Sequence, residues 1–595
     1  MSNSMTDYVT KSVFGSTSSG STGLVGAMDA TLDPTKGIGE KGAVEYSYSK
    51  ILENASSSTE SFQKSLMALS NSAIQGTKYA PFSPDVVKTN LDAVIKSLPT
   101  SGSDRKIALG LVASLLFQTR DCRKEGKGKG ARDPFNFMFS YLVKNVPEFS
   151  ESMKPLLALT PDYGYWKDIV SIWSGTTEGE PLYQACLDLF AHQLLDDQAT
   201  LTTSGDGKKK ISLAGKWAPS EGKKHGKMAK ALAFNLFKTG NFSQKMKGYR
   251  SLLSTLREKI GVTETLMCAK KFSEIKFELV PGLCLNRHRL AWDNKTKAGA
   301  IRSDDADRIQ AKENYHKFLE SLTKPTSKGA KGTSVFLHNL AKQILGTTDP
   351  TQLALLEAQW MDHEKLILEH SKKTGCGLES ILCVADVSGS MHGDPMMLAI
   401  ALSVMIARLQ TGIWKGRILT FHEKPSWVIL QDDWSVKKCI DTVRCAPWGG
   451  TTNFVGTHQL ILDVMKKNHL SASDLPSALM VVSDMQFDQA NGQIRDWSKV
   501  NPSTWMTTHD TLQKMYSVEG YSLPLMIYWN ARGDTNGMPV TEKEEGALMV
   551  SGFSTSLLKL FLEDGMDALM EFTPWKLLMK TLTDEHYKPV WDVML

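Results

Sequence analysis

The chain has 595 residues, 41% of them hydrophobic and 22% charged, and a net formal charge of +5. This is the composition of a globular protein with a sizeable core, long enough for roughly two to four domains. No apolar run approaches the roughly 20 residues of a membrane span, and the N-terminus lacks the charged and apolar regions of a secretory signal. Eight cysteines, Cys122, Cys186, Cys268, Cys284, Cys376, Cys383, Cys439 and Cys445, form no Cys-x-x-Cys pair and no Cys/His cluster at zinc spacing. They read as reduced thiols of a cytoplasmic or nuclear, non-secreted protein.

Residues 1–84 open the chain as a Ser/Thr/Gly-rich stretch, expected to be a flexible arm with a helix between about 45 and 74. From 85 to 375 the apolar spacing is helical, for example over 107–117, 135–146, 181–195, 227–237, 249–260 and 335–345. Successive helices of this kind predict an α-solenoid without a clean repeat period, with a compact bundle as the alternative.

Two basic segments lie in this helical part. The first is glycine-rich and carries Arg120, Arg123, Lys124, Lys127, Lys129 and Arg132. Its Gly126–Gly130 run lacks the spacing of a nucleotide-binding phosphate loop. The second covers 201–300, where 21 Lys plus Arg face 7 Asp plus Glu, a local +14 that leaves −9 for the rest. It includes Lys208, Lys209, Lys210, Lys216, Lys223, Lys224, Lys227 and Lys230. Lysine and arginine on glycine-rich loops suit phosphate contacts. The candidates for RNA contact are Arg123, Lys124, Lys127, Lys129, Arg132, Lys208, Lys209, Lys210, Lys223 and Lys224. Trp217 and Tyr249 are candidate stacking rings among these charges.

From 376 to 595 short apolar strands alternate with amphipathic helices. Strands are predicted at 380–386, 416–421, 426–430, 478–484 and 524–529, and helices at 395–410, 434–443, 454–467, 507–517 and 553–563. The alternation implies a mainly parallel sheet with helices on both faces, and ligands at the carboxyl ends of the strands. The first strand ends in Asp386-x-Ser388-x-Ser390 and a later one in Asp484, with a glycine turn and Thr451 and Thr452 between them. Hard oxygen donors of this kind suit Mg²⁺, or another divalent cation such as Ca²⁺ or Mn²⁺, rather than zinc or copper.

The order Asp-x-Ser-x-Ser, Thr, Asp resembles the metal-ion-dependent adhesion site (MIDAS) of von Willebrand factor A (vWA) domains. The resemblance implies the ligands Asp386, Ser388, Ser390, Thr452 (in preference to Thr451) and Asp484. With few charged ligands a bound Mg²⁺ keeps an open position for an Asp or Glu of a protein partner. No activated nucleophile with a general base lies nearby, so the chain reads as a non-enzyme. His392 reads as a bystander and Asp394 as a residue that orients the loop. Asp394 and Asp488 are the weak candidates for the further carboxylates that a two-metal nuclease needs. Trp414, Trp427, Trp434 and Trp448 read as packing.

Several phrases of the helical part, among them 128–133, 161–168, 216–219, 263–267 and 277–281, resemble an uncharacterised family of plants, fungi and large DNA viruses. That family pairs a helical region with a C-terminal vWA domain, and 481–488 and 551–554 fit it as well. The layout is similar to the Ro autoantigen (TROVE) proteins, in which a ring of HEAT-like repeats holds RNA and a vWA domain closes it. Residues 127–133 and 163–168 echo a basic loop and a Tyr-Gly turn of those proteins. The expected fold is therefore a flexible arm (1–84), a helical HEAT-like solenoid or toroid (85–375) and a Rossmann-like, doubly wound vWA domain (376–595). The expected function is an RNA-binding scaffold for a small structured RNA, with a Mg²⁺-dependent protein site. The alternative is a metal-dependent protein-interaction or assembly factor without nucleic acid.

Overall fold

A computed structural model describes residues 36–38, 44–47, 58–78, 80–203, 210–324, 327, 329–375, 377–378, 380–421, 425–447, 453–485, 508–534, 537–564 and 566–595. Among the described residues, nine strands form two sheets. A small sheet pairs β1 (Lys36–Ile38), β2 (Val44–Ser47) and β8 (Gly537–Met538), all antiparallel. The large sheet has the order β5-β4-β3-β6-β7-β9, from β3 (Ile381–Asp386), β4 (Arg417–Phe421), β5 (Ser426–Ile429), β6 (Ala478–Ser483), β7 (Leu525–Asn530) and β9 (Ala547–Ser551). All its pairings are parallel except β4 with β5.

The central strands β3, β6 and β7 are buried along their whole length. That is why they read as continuous apolar runs, the pattern of a sheet covered on both faces. One face carries the helix Asp394–Leu409, which is apolar on nearly every side. The other carries the helices Phe454–Lys467 and Thr508–Val518. Helices on both faces of the mixed sheet give the α/β half that the alternation predicts. Strand β9 was not expected, because its run Ala547–Ser551 is short and framed by glycines. The helix expected at 553–563 is a tighter 3₁₀ turn, Thr555–Phe561.

The rest is helical. The helix Gly102–Arg120 is buried continuously from Ile107 on and is the axis of the largest core. The final segment, Pro574–Leu582 and Lys588–Met594, folds back into that same core. Trp591 lies so close to Gly110 that a Cβ there would fall 2.4 Å from its ring. At the other end, the helices Leu337–Leu345 and Pro350–Thr374 pack onto the α/β sheet. A middle core joins Phe272–Leu285 to the helix Ala306–Leu322. The helical region therefore begins and ends on the α/β domain. Among the described residues, no helix is long and apolar enough to cross a membrane.

The stretch 1–84 is not uniformly a free arm. The helix Ser58–Ser72 buries Phe62, Leu66, Met67 and Leu69. It packs on the helix Pro84–Ser97 and on β9. Four buried apolar side chains, each contributing about 1.5–3 kcal/mol, supply part of what offsets the entropy of ordering this segment. Their signal is diluted in a composition dominated by Ser, Thr and Gly.

Candidate functional site

The strand order reverses between β3 and β6. Crevices at such switch points, beyond the carboxyl ends of the strands, are where open α/β sheets hold ligands. Asp386 ends β3 and is fully buried. Its Oδ1 accepts the Ser388 amide at 2.8 Å, and its Oδ2 accepts the Ser483 hydroxyl at 2.6 Å across the sheet. The Ser388 and Ser390 hydroxyls lie 3.1 Å apart. Asp484 follows β6 and is buried, and the next residue, Met485, turns the chain with φ 64°. Asp386, Ser388 and Ser390 thus lie together at the end of β3, and Asp484 follows the neighbouring strand β6. Every donor is a hard oxygen, so the set fits Mg²⁺ or Ca²⁺ and not zinc. Among the described residues, no group of three or more His, Cys, Asp or Glu is placed to hold a metal; this set has two carboxylates and otherwise hydroxyls. Thr451, Thr452, Asp488 and Trp448 lie outside the described residues.

Asp394 does not act as a loop orienter alone. It is buried at the start of its helix and forms an ion pair with Lys342 of the helical region. Arg532, after β7, donates to the Ser390 carbonyl at 2.9 Å and pairs with Asp534. It holds the Ser390 turn from the neighbouring strand. Trp414 donates to the Asp474 carbonyl and stacks on Trp427, so both act in packing.

The candidate RNA contacts fall in different places. Lys127 is buried, and its ammonium lies 2.6 Å from both Glu563 and Asp584. Burial disfavours its charge, but the two carboxylates more than offset this and raise its pKa. Lys129 is buried and donates to the Ser70 carbonyl and, at 2.8 Å, to the Ser551 hydroxyl; burial lowers its pKa to about 7. Arg123 is wrapped by the carbonyls of Pro161, Asp162 and Gly164. Lys124 is exposed and pairs with Glu369. The glycine-rich segment is therefore a strap between the helical and α/β halves. Its glycines permit close approach: a Cβ on Gly126 would meet the Asp121 carboxylate at 1.8 Å. Lys210, Lys223 and Lys224 are exposed, and Lys208 and Lys209 lie outside the described residues. Tyr249 is fully buried, with its hydroxyl on the Pro219 carbonyl at 2.8 Å, and is not available for stacking.

Arg132 belongs to a different group. The helical region lines an open cavity of about 1470 Å³, walled on the α/β side by Asp394 and Phe553–Ser556. Eight Lys and Arg line it, against four Asp and Glu. Three of those acids are already paired: Asp394 with Lys342, Asp168 with buried Arg120 at 2.8 Å, and Glu221 with Arg250 at 2.5 Å. Lys167, Lys216 and Arg287 have no ion pair among the described residues. Lys167 has its pKa lowered by burial first and then by Arg132 and Arg287, with Lys224 adding to it. Cations that raise one another's energy in this way form a hole shaped for an anion. Trp217 lies under Lys167 and Lys216, at 5.7 and 5.6 Å, with Tyr165 6.0 Å beyond. Sequence reasoning placed Lys216 in a basic segment but missed Tyr165, Lys167 and Arg287 as its companions, because they lie in separate stretches of the chain that only the fold brings together.

Two family models match the chain, both described as domains of unknown function: DUF7788 over residues 380–587 and DUF2828 over 178–299. The first covers the α/β domain and the turn back into the helical core. The second covers the stretch that carries Lys216, Trp217 and Arg287. Neither description names a vWA or Ro domain. An uncharacterised protein of Acanthamoeba polyphaga mimivirus is 32% identical over 501 residues, covering 82% of this chain and 81% of that protein. On that likeness the chain belongs to the same family as the mimivirus protein.

Proposed function

We propose that this protein is a non-enzymatic, Ro-like RNA-binding scaffold that takes a small structured RNA into its cavity. The helical part is read as an irregular HEAT-like solenoid, closed into a ring by an α/β domain of the vWA type. The observation that carries the reading is the cavity itself. Unpaired Lys167, Lys216 and Arg287, with Arg132 beside them, face a space walled by Trp217 and Tyr165. Phosphates relieve the mutual repulsion of the cations, and the rings offer faces to unstacked bases. The strand order supports the vWA reading, since the first strand is central and the third is the antiparallel edge.

Asp386, Ser388, Ser390 and Asp484 would hold Mg²⁺ in this reading, with Thr452 as the ligand the vWA resemblance adds. A bound Mg²⁺ supplies an open coordination position for a carboxylate of a protein partner. The chain's own part is to fix the donors: Ser483 and the Ser388 amide hold the two oxygens of Asp386, and Arg532 holds the Ser390 turn.

The test is binding of a labelled RNA hairpin with a single-stranded tail to the purified protein and to Lys167→Glu/Arg287→Glu. Tight binding by the natural protein and its loss in the variant support the reading. Binding that ignores both reversals removes the cavity from it. Absence of binding at low salt leaves a metal-dependent protein-interaction factor.

A further inference from the structure

Residues 222–257 contain nine Lys and Arg and no Asp or Glu, of which Arg250 and Arg257 line the cavity. They form the helix Gly226–Leu236, a short turn and most of the helix Phe242–Ile260. The turn is fixed on its inner side by Phe237, whose ring abuts Gly248 so closely that a Cβ there would lie 2.9 Å away. A reciprocal cap fixes the start of the second helix: the Asn241 side chain accepts the Gln244 amide at 3.0 Å, and Gln244 accepts the Asn241 amide at 2.8 Å.

These constraints leave Phe234 and Phe242 on the outside, 47% and 48% exposed, with ring centroids 6.2 Å apart. Neither ring lines the cavity. Lys245 sits 4.5 Å over Phe234 and Lys230 5.8 Å over Phe242. Lys227, Lys230, Lys238 and Lys247 are exposed, and among the described residues none of them has an acidic partner. A single exposed aromatic needs no explanation. Two adjacent rings on a capped turn, roofed by lysines in a stretch without acids, are a preorganised surface.

We propose that this outer surface binds single-stranded RNA, with bases stacked on Phe234 and Phe242 and the backbone phosphates on Lys230, Lys238, Lys245 and Lys247. The proposal rests on the RNA-binding reading and adds a second site to it. Flat rings set among lysines are the chemistry of sequence-tolerant single-strand binding. An anionic membrane also attracts lysines, but it takes up a helix with a broad apolar face, and the faces of these two helices point into the core.

The experiment measures anisotropy of a labelled oligouridine and of an RNA duplex of equal length. The proteins are the full chain and Phe234→Ala/Phe242→Ala, each also in a background with Lys167, Lys216 and Arg287 changed to Ala. The expected result is a loss of about 30-fold or more in oligouridine affinity on removing both rings, in both backgrounds. Duplex affinity changes little. Equal oligouridine binding with and without the rings overturns the proposal and leaves the cavity reading standing. Absence of any RNA binding by the natural chain overturns both. Ring-dependent sedimentation with phosphatidylserine vesicles, with oligouridine binding unchanged, overturns it in favour of a lipid surface.

Discussion

Replacing Lys167, Lys216 and Arg287 together by Ala gives the most quantitative handle on the cavity. Lys167 and Arg287 are exposed to the cavity, Lys216 is half-buried, and none has an ion pair among the described residues. Their removal breaks no buried pair, so folding is expected to survive and circular dichroism checks it. Each phosphate contact to a single strand contributes about −0.7 to the slope of log K against log salt. Losing three contacts makes the slope shallower by about 2. Between 50 and 200 mM salt, a fourfold change, the advantage of the natural protein over the variant therefore shrinks by about 20-fold. The assay is anisotropy of a labelled RNA over at least four salt concentrations. Lys365→Ala/Lys372→Ala/Lys373→Ala, all on the helix Pro350–Thr374, serves as the charge-matched control. An unchanged slope in the triple variant refutes the cavity as the seat of the phosphates, whatever happens to affinity at one salt concentration.

Other expectations concern the frame and the metal site. Trp591→Ala removes a buried ring that joins the C-terminal helix to Gly110, and should cost about 3–5 kcal/mol, read as a lower unfolding temperature. Gly110→Ala, with its Cβ forced against that ring, should destabilise the chain as well; a neutral result would place the C-terminal helix elsewhere. Burial lowers the pKa of Lys129 to about 7 and of Lys559 to about 8, against their ordinary value of 10.5. Between pH 7 and 10 the unfolded chain then binds more protons than the folded one, so stability rises with pH through that window. Lys129→Met should flatten that rise in a thermal-shift series, and an unchanged rise would contradict the buried site. Mg²⁺ should raise the unfolding temperature of the natural chain, by about 2.7 kcal/mol in stability at 100 times its Kd. Asp386→Asn and Ser390→Ala should each abolish the effect; a persistent Mg²⁺ response in both would move the ion to another site.

The α/β half was legible in the sequence because its central strands are buried on both faces. Runs such as Ile381–Asp386 and Ala478–Ser483 have no polar partner to blur them. Asp386 and Asp484 stand out for the same reason, as carboxylates at the ends of those runs. The glycine-rich segment 121–131 misled for a physical reason. Its glycines serve close packing against Asp121 rather than mobility, and the lysines between them find their counter-charges and acceptors hundreds of residues away, at Ser551, Glu563 and Asp584. The cavity was illegible because Arg132, Lys167, Lys216 and Arg287 form no local run. They come from segments up to 155 residues apart in the chain that the fold sets around one space.

The claim that RNA enters the ring is tested most directly by crosslinking. A 4-thiouridine placed in the single-stranded tail of a bound hairpin is irradiated, and the attached peptides are identified by mass spectrometry. The account predicts adducts on peptides containing Tyr165, Trp217 or Arg287, lost when Lys167, Lys216 and Arg287 are changed to Ala. Adducts confined to surfaces outside the cavity, unchanged in that variant, would contradict it.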